Sequence, residues 1–332
     1  MKILKQDFVL HDINAHALRG EHFFKSILDF RSKILPANKH RIRQAQDYRC
    51  VLCGHTKGKP ALEWQAGYQL FQCENCEAVS PNISVEDTSK HVDQVYNNDI
   101  YYEKFLREIH QQYEYRKKRF GGERYSYIIE RLGLDGKKIK LLDVGCGAGY
   151  FLSYLQDKGI DARGLEVTPH LVRYCKETGL QVESHDLSHE PDEAYDVIVM
   201  FDVLEHLYEP IPVIQKVFSK LKPGGYFIAY TPNIHSVGFE LMGAEQNTLL
   251  PFEHLCFYNE NSLKYLSQKT GFTLHTLETF GWDIMDYLLM KEYEDKIDYT
   301  EKLREMMILL QGCLDKMKIS NHFRITFKRG DK

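Results

Sequence analysis

The chain has 332 residues, with 43 Lys and Arg against 47 Asp and Glu for a formal net charge of −4, and it is 43% hydrophobic and 27% charged. That balance supplies a sizeable core and excludes a disordered or collagen-like chain, and no apolar run approaches the ~18 residues that span a bilayer. The near-neutral charge excludes a large basic field for gripping nucleic acid, so only a local patch could serve that purpose. Length alone suggests about two domains.

Residues 1–47 mix apolar and charged positions, turn basic between Arg31 and Arg49, and carry no pattern that assigns a fold. The opening stretch meets Asp7 before an apolar run develops, so no secretory signal is expected there. Residues 48–82 hold Cys50, Cys53, Cys73 and Cys76, two C-x2-C pairs separated by nineteen residues. Pairs at this spacing offer four thiolates to one tetrahedral zinc ion. With every position filled, none remains for water, so the metal is expected to be structural. Short alternating stretches such as Tyr68–Gln72 read as small strands. The other four cysteines are scattered, which argues against a disulfide scaffold and for a reducing, cytoplasmic location.

Residues 83–137 contain the aromatic cluster Tyr96, Tyr101, Tyr102 and Phe105, either core or a lid over a ligand. The basic run Arg116–Arg119 reads as a solvated helix face, Gly121-Gly122 as a break, and Tyr125–Leu132 as an amphipathic helix. Strands are then predicted at Ile139–Val144, Ala162–Val167, Leu180–Glu183, Tyr195–Phe201 and Tyr226–Thr231. Helical patterns at Tyr150–Lys158, Pro169–Thr178 and Pro210–Leu221 lie between them. Such alternation predicts a doubly wound α/β sheet. Gly271–Glu278 and His322–Lys328 read as sixth and seventh strands. Between them a helical stretch, about residues 282–319, stands where a short connection is usual. Leu303, Met306, Met307, Leu310 and Leu314 recur at helical spacing and read as core packing. This extra helix is expected to cover the cleft or to pair with a second copy in a homodimer.

Gly145, Gly147 and Gly149 follow a predicted strand and open a helix, with Asp143 two residues ahead. Glycines let a backbone approach a ligand closely, and Asp143 can pair with a cationic group. Glu166 ends the next strand, about twenty residues on, where an acid can hold ribose hydroxyls. A dinucleotide fingerprint would need its last glycine at Tyr150, which counts against NAD.

The segments Asp143-Val-Gly-Cys-Gly-Ala-Gly149, Gly164-Leu-Glu-Val167, Phe201-Asp-Val-Leu-Glu-His-Leu207 and Lys222-Pro-Gly-Gly-Tyr-Phe227 resemble successive motifs of class I S-adenosylmethionine-dependent methyltransferases. The resemblance covers about residues 123–282, with 323–329 as a last strand. It implies a seven-stranded Rossmann-like sheet binding S-adenosylmethionine. The glycines would cradle the methionine part and Asp143 would face its ammonium. Glu166 would hold the ribose, Asp186 with Leu187 would border the adenine, and Met200 and Phe201 would lie beside the sulfonium. Tyr48–Gly54, Cys73–Cys76, Pro81 and Tyr96–Tyr102 further resemble bacterial methyltransferases carrying an N-terminal zinc ribbon. Such proteins accompany polysaccharide, deoxysugar or natural-product biosynthesis; another zinc-ribbon group methylates ribosomal RNA guanine. The expected organisation is an unassigned extension (1–47), a zinc ribbon (48–82), a helical linker or lid (83–137) and the methyltransferase domain (138–332).

Methyl transfer from a sulfonium is an in-line displacement governed by positioning, but an alcohol acceptor also needs a base, usually histidine. His254, after the fifth strand and beside Glu253, is the first choice and is expected at the cleft's rim. His206, next to Glu205 at the end of the fourth strand, is the second and is expected mainly to pack that strand end. The expected function is methylation of a small-molecule hydroxyl on a sugar or natural-product intermediate. An RNA methyltransferase is the first rival, disfavoured by the acidic balance. A non-catalytic scaffold is the second, disfavoured by the intact Asp143, glycines and Glu166.

Overall fold

The computed structural model describes residues 9–20, 22–64, 67–84, 112–136 and 138–331. The aromatic cluster Tyr96, Tyr101, Tyr102 and Phe105 lies outside the described residues, as does most of the expected linker. Strands β1 (Gly58–Glu63), β2 (Gln69–Cys73) and β3 (Val79–Pro81) make a small antiparallel sheet near the N-terminus. Seven more strands follow: β4 (Lys140–Val144), β5 (Asp161–Leu165), β6 (Val182–Glu183), β7 (Tyr195–Phe201), β8 (Leu221–Pro232), β9 (Thr273–Phe280) and β10 (His322–Lys328). They form one sheet in the order β6-β5-β4-β7-β8-β10-β9. The pairs from β6 to β8 are parallel, and β10 runs antiparallel between β8 and β9. Helices cover both faces, so central strands are apolar throughout; Leu141, Leu142 and Val197 to Met200 have no solvent exposure. The chain steps outward from β4 to β6 and then returns to the other side of β4 as β7. That reversal opens a crevice at the C-terminal ends of β4 and β7.

The N-terminal sheet is not a detached module. Tyr48, Leu52, Phe71 and Val79 share one buried cluster with Phe252, Leu255, Phe257, Ile198 and Phe227. Val79 and Phe257 exchange backbone hydrogen bonds of 2.9 and 2.8 Å, and the Asn259 amide donates to the Glu77 carbonyl. The extension, unassigned from sequence, is helical at Ala15–Arg19 and Phe23–Ala37. Arg31, 4% exposed, donates Nε to the Leu249 carbonyl at 3.2 Å. The segment 249–257 is therefore clamped between extension and ribbon.

The long connection between β9 and β10 folds as helices Asp283–Asp295, Tyr299–Lys302 and Arg304–Met317. Its core face holds the extension: Ile13, Ala15 and Leu18 pack on Met285, Leu288, Leu289 and Met307. Arg19 chelates Asp286 with bonds of 3.1 and 2.9 Å. Of the residues expected in the core, Met307 is buried, whereas Met306 and Leu310 lie exposed with Leu309 and Met317.

Two local expectations are corrected. A continuous helix runs over 112–131, with π-helical stretches at Lys117–Gly121 and Ser126–Arg131, and Gly121-Gly122 does not break it. A Cβ on Gly121 would lie 2.7 Å from the Tyr154 Cβ, so the glycine permits close helix packing. The basic run is a solvated face only at Lys118. Arg116 bonds Gln112 and the Leu18 carbonyl, Lys117 pairs with Asp157 at 2.7 Å, and Arg119 stacks 5.5 Å over Trp282. No helix among the described residues is long and apolar enough to cross a membrane.

Candidate functional site

The loop after β4 depends on two glycines in different ways. Gly149 (φ +74°) caps the helix Tyr150–Asp157, and a Cβ there would sit 2.4 Å from Leu180 Cδ1. Gly147 (φ +57°) has nothing within 4 Å of its would-be Cβ, so this part of the loop presents bare backbone to open space. The Gly147 N–H donates to Glu166 Oε2 at 2.8 Å, and the Thr168 N–H donates to Oε1 at 2.8 Å. Glu166 thus ties the ends of β4 and β5 together while keeping further acceptor capacity.

Asp143 is 3% exposed beneath this loop. Burial pushes its carboxyl up to about 7, Arg124 pulls it down, and Glu166 pushes it up. Sequence reading missed Arg124. The helix over 112–131 carries its guanidinium 4.0 Å over the Phe201 ring, with Phe120, Tyr150 and Tyr230 around it. Its buried Nε has no partner among the described residues. No local signal marked this arginine, because each of those rings except Phe120 is at least 26 positions away in the chain.

The other expected cofactor residues separate into groups. Phe201 packs edge-on against Phe151 and Tyr230 at 5.4 and 4.6 Å, on the side of Arg124. Met200 points the opposite way into the main core with no exposure, because successive strand residues face opposite sides. Its placement beside the sulfonium is corrected to a core role. Leu187 is likewise buried in that core. Asp186 caps the turn Leu187–His189 through the Ser188 N–H at 2.8 Å and pairs with Lys216 at 3.1 Å, its side chain 57% exposed.

At the end of β7 the backbone of Asp202 adopts φ +57°, a left-handed conformation that costs energy for a residue with a Cβ. Its carboxylate is half-exposed and faces His322 Nε2 at 3.5 Å. Glu205 follows, 1% exposed. Its Oε2 accepts from Thr231 Oγ1 at 2.9 Å, while its Oε1 has no hydrogen-bond partner among the described residues. That oxygen lies 4.0 Å from Nε2 of both His206 and His254. The two imidazoles meet edge to face, centroids 4.6 Å apart. Burial pushes His206 down to about 4, and burial with His206 beside it pushes His254 well below the ordinary imidazole value, so both rings favour the neutral form. The Leu255 and Cys256 N–H groups donate to the Glu205 carbonyl, locking the two segments together. The expected order of depth is reversed: the His254 side chain is 8% exposed and that of His206 21%. His254 is deeper because extension and ribbon press its loop inward.

In the ribbon, the Cys50 and Cys76 sulfurs lie 3.5 Å apart, as do those of Cys53 and Cys73, and all four lie within 4.8 Å of one another. This all-sulfur donor set matches a closed tetrahedral zinc site.

A family model described as a methyltransferase domain matches residues 115–277. A ubiquinone biosynthesis O-methyltransferase of Aliivibrio fischeri is 35% identical over 135 residues, which is 37% of this chain and 57% of that protein. This chain thus spans little more than half the length of that relative. A protein of the same name from Pseudomonas fluorescens SBW25 is 32% identical over 166 residues, 46% of this chain and 71% of the relative. Among solved structures, an Archaeoglobus fulgidus SAM-dependent methyltransferase aligns with a TM-score of 0.48 and 22% identity, covering 69% of this chain and 100% of that chain.

Proposed function

The chain belongs to the class I S-adenosylmethionine-dependent methyltransferases, and from that premise we propose that it methylates a hydroxyl oxygen of a small-molecule acceptor, a sugar or natural-product intermediate. One observation carries this reading: a polar loop built on Asp143, Gly147 and Glu166 follows β4, and Glu205 and His206, clustered with His254, follow β7, its parallel neighbour, so both groups stand at the same end of the sheet. The curated relatives named for O-methyl transfer in ubiquinone biosynthesis support oxygen as the accepting atom.

The open space over Gly147, the buried Asp143 and the under-partnered Arg124 fit the cofactor's methionine end. Asp143 would take the ammonium, Arg124 the carboxylate, and Glu166 the ribose hydroxyls. Bound there, S-adenosylmethionine supplies an electrophilic methyl group. Phe201, with the rings packed on it, excludes water beside that position. We place the acceptor hydroxyl at the cluster after β7, with the more exposed His206 nearest to it and His254 behind. A structural zinc on the four cysteines would hold β3 against Phe257 and so set the loop that carries His254. RNA is not favoured as acceptor, because the basic run 116–119 is largely engaged within the protein.

Calorimetric titration with S-adenosylmethionine, followed by mass spectrometry of nucleotide-sugar and phenolic acceptors, tests this reading. Cofactor binding and a methyl added to an acceptor oxygen are expected. Absence of cofactor binding, or methyl appearing in RNA instead, would refute it.

A further inference from the structure

We infer that Glu205, His206 and His254 form a second metal site, which takes a divalent transition-series cation such as zinc and keeps an open position toward the cleft. One carboxylate oxygen and one nitrogen from each imidazole lie within 4.8 Å of one another. The independent observation is Glu205 Oε1. It is buried without a hydrogen-bond partner among the described residues, yet it aims between two histidine Nε2 atoms at an equal 4.0 Å. A hydrogen bond to either ring would draw it to about 3 Å. Equal separation from both leaves room between the three donors for a shared cation. Zinc held at ~2.0–2.2 Å from each donor places donors roughly 3–3.5 Å apart, a closure of about an ångström.

The surroundings are built as a metal site's supporting groups are built. Glu205 Oε2 is fixed by Thr231, and the His206 ring is held by the backbone at Glu253 and Asp202. Such contacts orient ligands before the ion arrives. The Glu205 carbonyl, bonded to Leu255 and Cys256, fixes the spacing between the segments bearing the two histidines. Asp202, half-exposed at the mouth, adds a second negative charge nearby.

Two imidazoles and one carboxylate make a donor set for zinc and similar ions, unlike the all-sulfur ribbon. Three protein ligands leave a fourth position, and the exposed edge of His206 marks where it faces. The consequence for reaction rests on the methyl-transfer reading. An acceptor hydroxyl at that position is acidified by the ion. Its proton passes to water, the O–CH3 bond forms as the S–CH3 bond breaks, and the imidazoles serve as ligands rather than bases.

The test is metal counting on the full chain after dialysis against micromolar zinc, with a parallel cobalt-loaded sample for spectroscopy. Wild-type protein should hold two equivalents, one with thiolate-to-cobalt charge-transfer bands and one with weak ligand-field bands alone. His206→Ala should lose only the second, with melting temperature and cofactor affinity retained. Glu205→Gln, which preserves side-chain size, should weaken the second equivalent at least about tenfold, about 1.4 kcal/mol; it serves if the alanine variant misfolds. A single equivalent with thiolate bands alone, or a second equivalent indifferent to both substitutions, would overturn the site. S-adenosylmethionine titration of the same samples separates the two readings. Cofactor binding with one metal refutes the second site alone, and two metals without cofactor binding refute the methyl-transfer reading alone.

Discussion

If Asp143 receives the cofactor's ammonium, binding must depend on pH in a defined direction. In the empty protein burial raises this carboxyl to about 7, so near neutrality about half the molecules carry it protonated. A cationic ligand requires the ionised form, and binding below that value must expel a proton. Affinity should be flat above about pH 8 and fall roughly tenfold, ~1.4 kcal/mol, for each unit below about 7. Between about pH 8 and pH 5.5 the loss is ~30-fold. The same elevation has a stability consequence. A carboxyl raised above its unfolded value stabilises the empty fold at low pH, and that contribution is lost as pH rises from about 4 through about 7. Cofactor should therefore raise the melting temperature most at the upper end of this window. Calorimetry at pH 6 in buffers of different ionisation enthalpy counts the released proton. Asp143→Asn should weaken binding by ~1.5–3 kcal/mol, the value of a hydrogen bond to a charged group, and abolish the pH dependence. Affinity unchanged from about pH 8 to about 5.5, or no proton release, would refute the assignment.

Cys73→Ser should remove the ribbon's zinc and lower the melting temperature of the whole chain in one transition, since ribbon and catalytic core share a cluster; metal analysis and calorimetry check both, and full zinc with unchanged melting would refute it. Gly149→Ala should destabilise the fold by ~1–3 kcal/mol, because the added methyl meets Leu180 Cδ1 at 2.4 Å. Gly147→Ala should cost only about 1 kcal/mol of backbone strain, yet should weaken cofactor binding, because its methyl points into the open space over the loop. Thermal melts with cofactor titrations on the two variants distinguish these effects.

Features carried by short-range chemistry were legible in the chain. A central parallel strand is apolar on both faces, so Tyr195–Phe201 could be read to the residue and β4 and β5 nearly so, while the antiparallel His322–Lys328 was legible from its alternation of polar and apolar residues. The doubled cysteine spacing marked four sulfurs that do converge. The glycine loop and Glu166 were legible for the same reason, since a strand, a tight turn and the next strand's end are neighbours in the motif.

Tertiary packing decided what depends on surfaces distant in sequence. Arg124 became a site residue only because its helix lies over Phe201 and Tyr230. Arg119 left solvent for Trp282, and Gly121 became a helix contact because Tyr154 lies against it. Met200 and Phe201 are adjacent in the chain and face opposite layers, which strand alternation dictates once the sheet's two faces are known. The depth of His254 depends on Arg31 and the ribbon clamping residues 249–257, contacts that span about 180 to 220 positions. Periodicity reports whether a residue is apolar and how its neighbours repeat. Which surface covers it, and therefore whether a polar group there meets water, a partner or an open cleft, is a property of the packed chain alone.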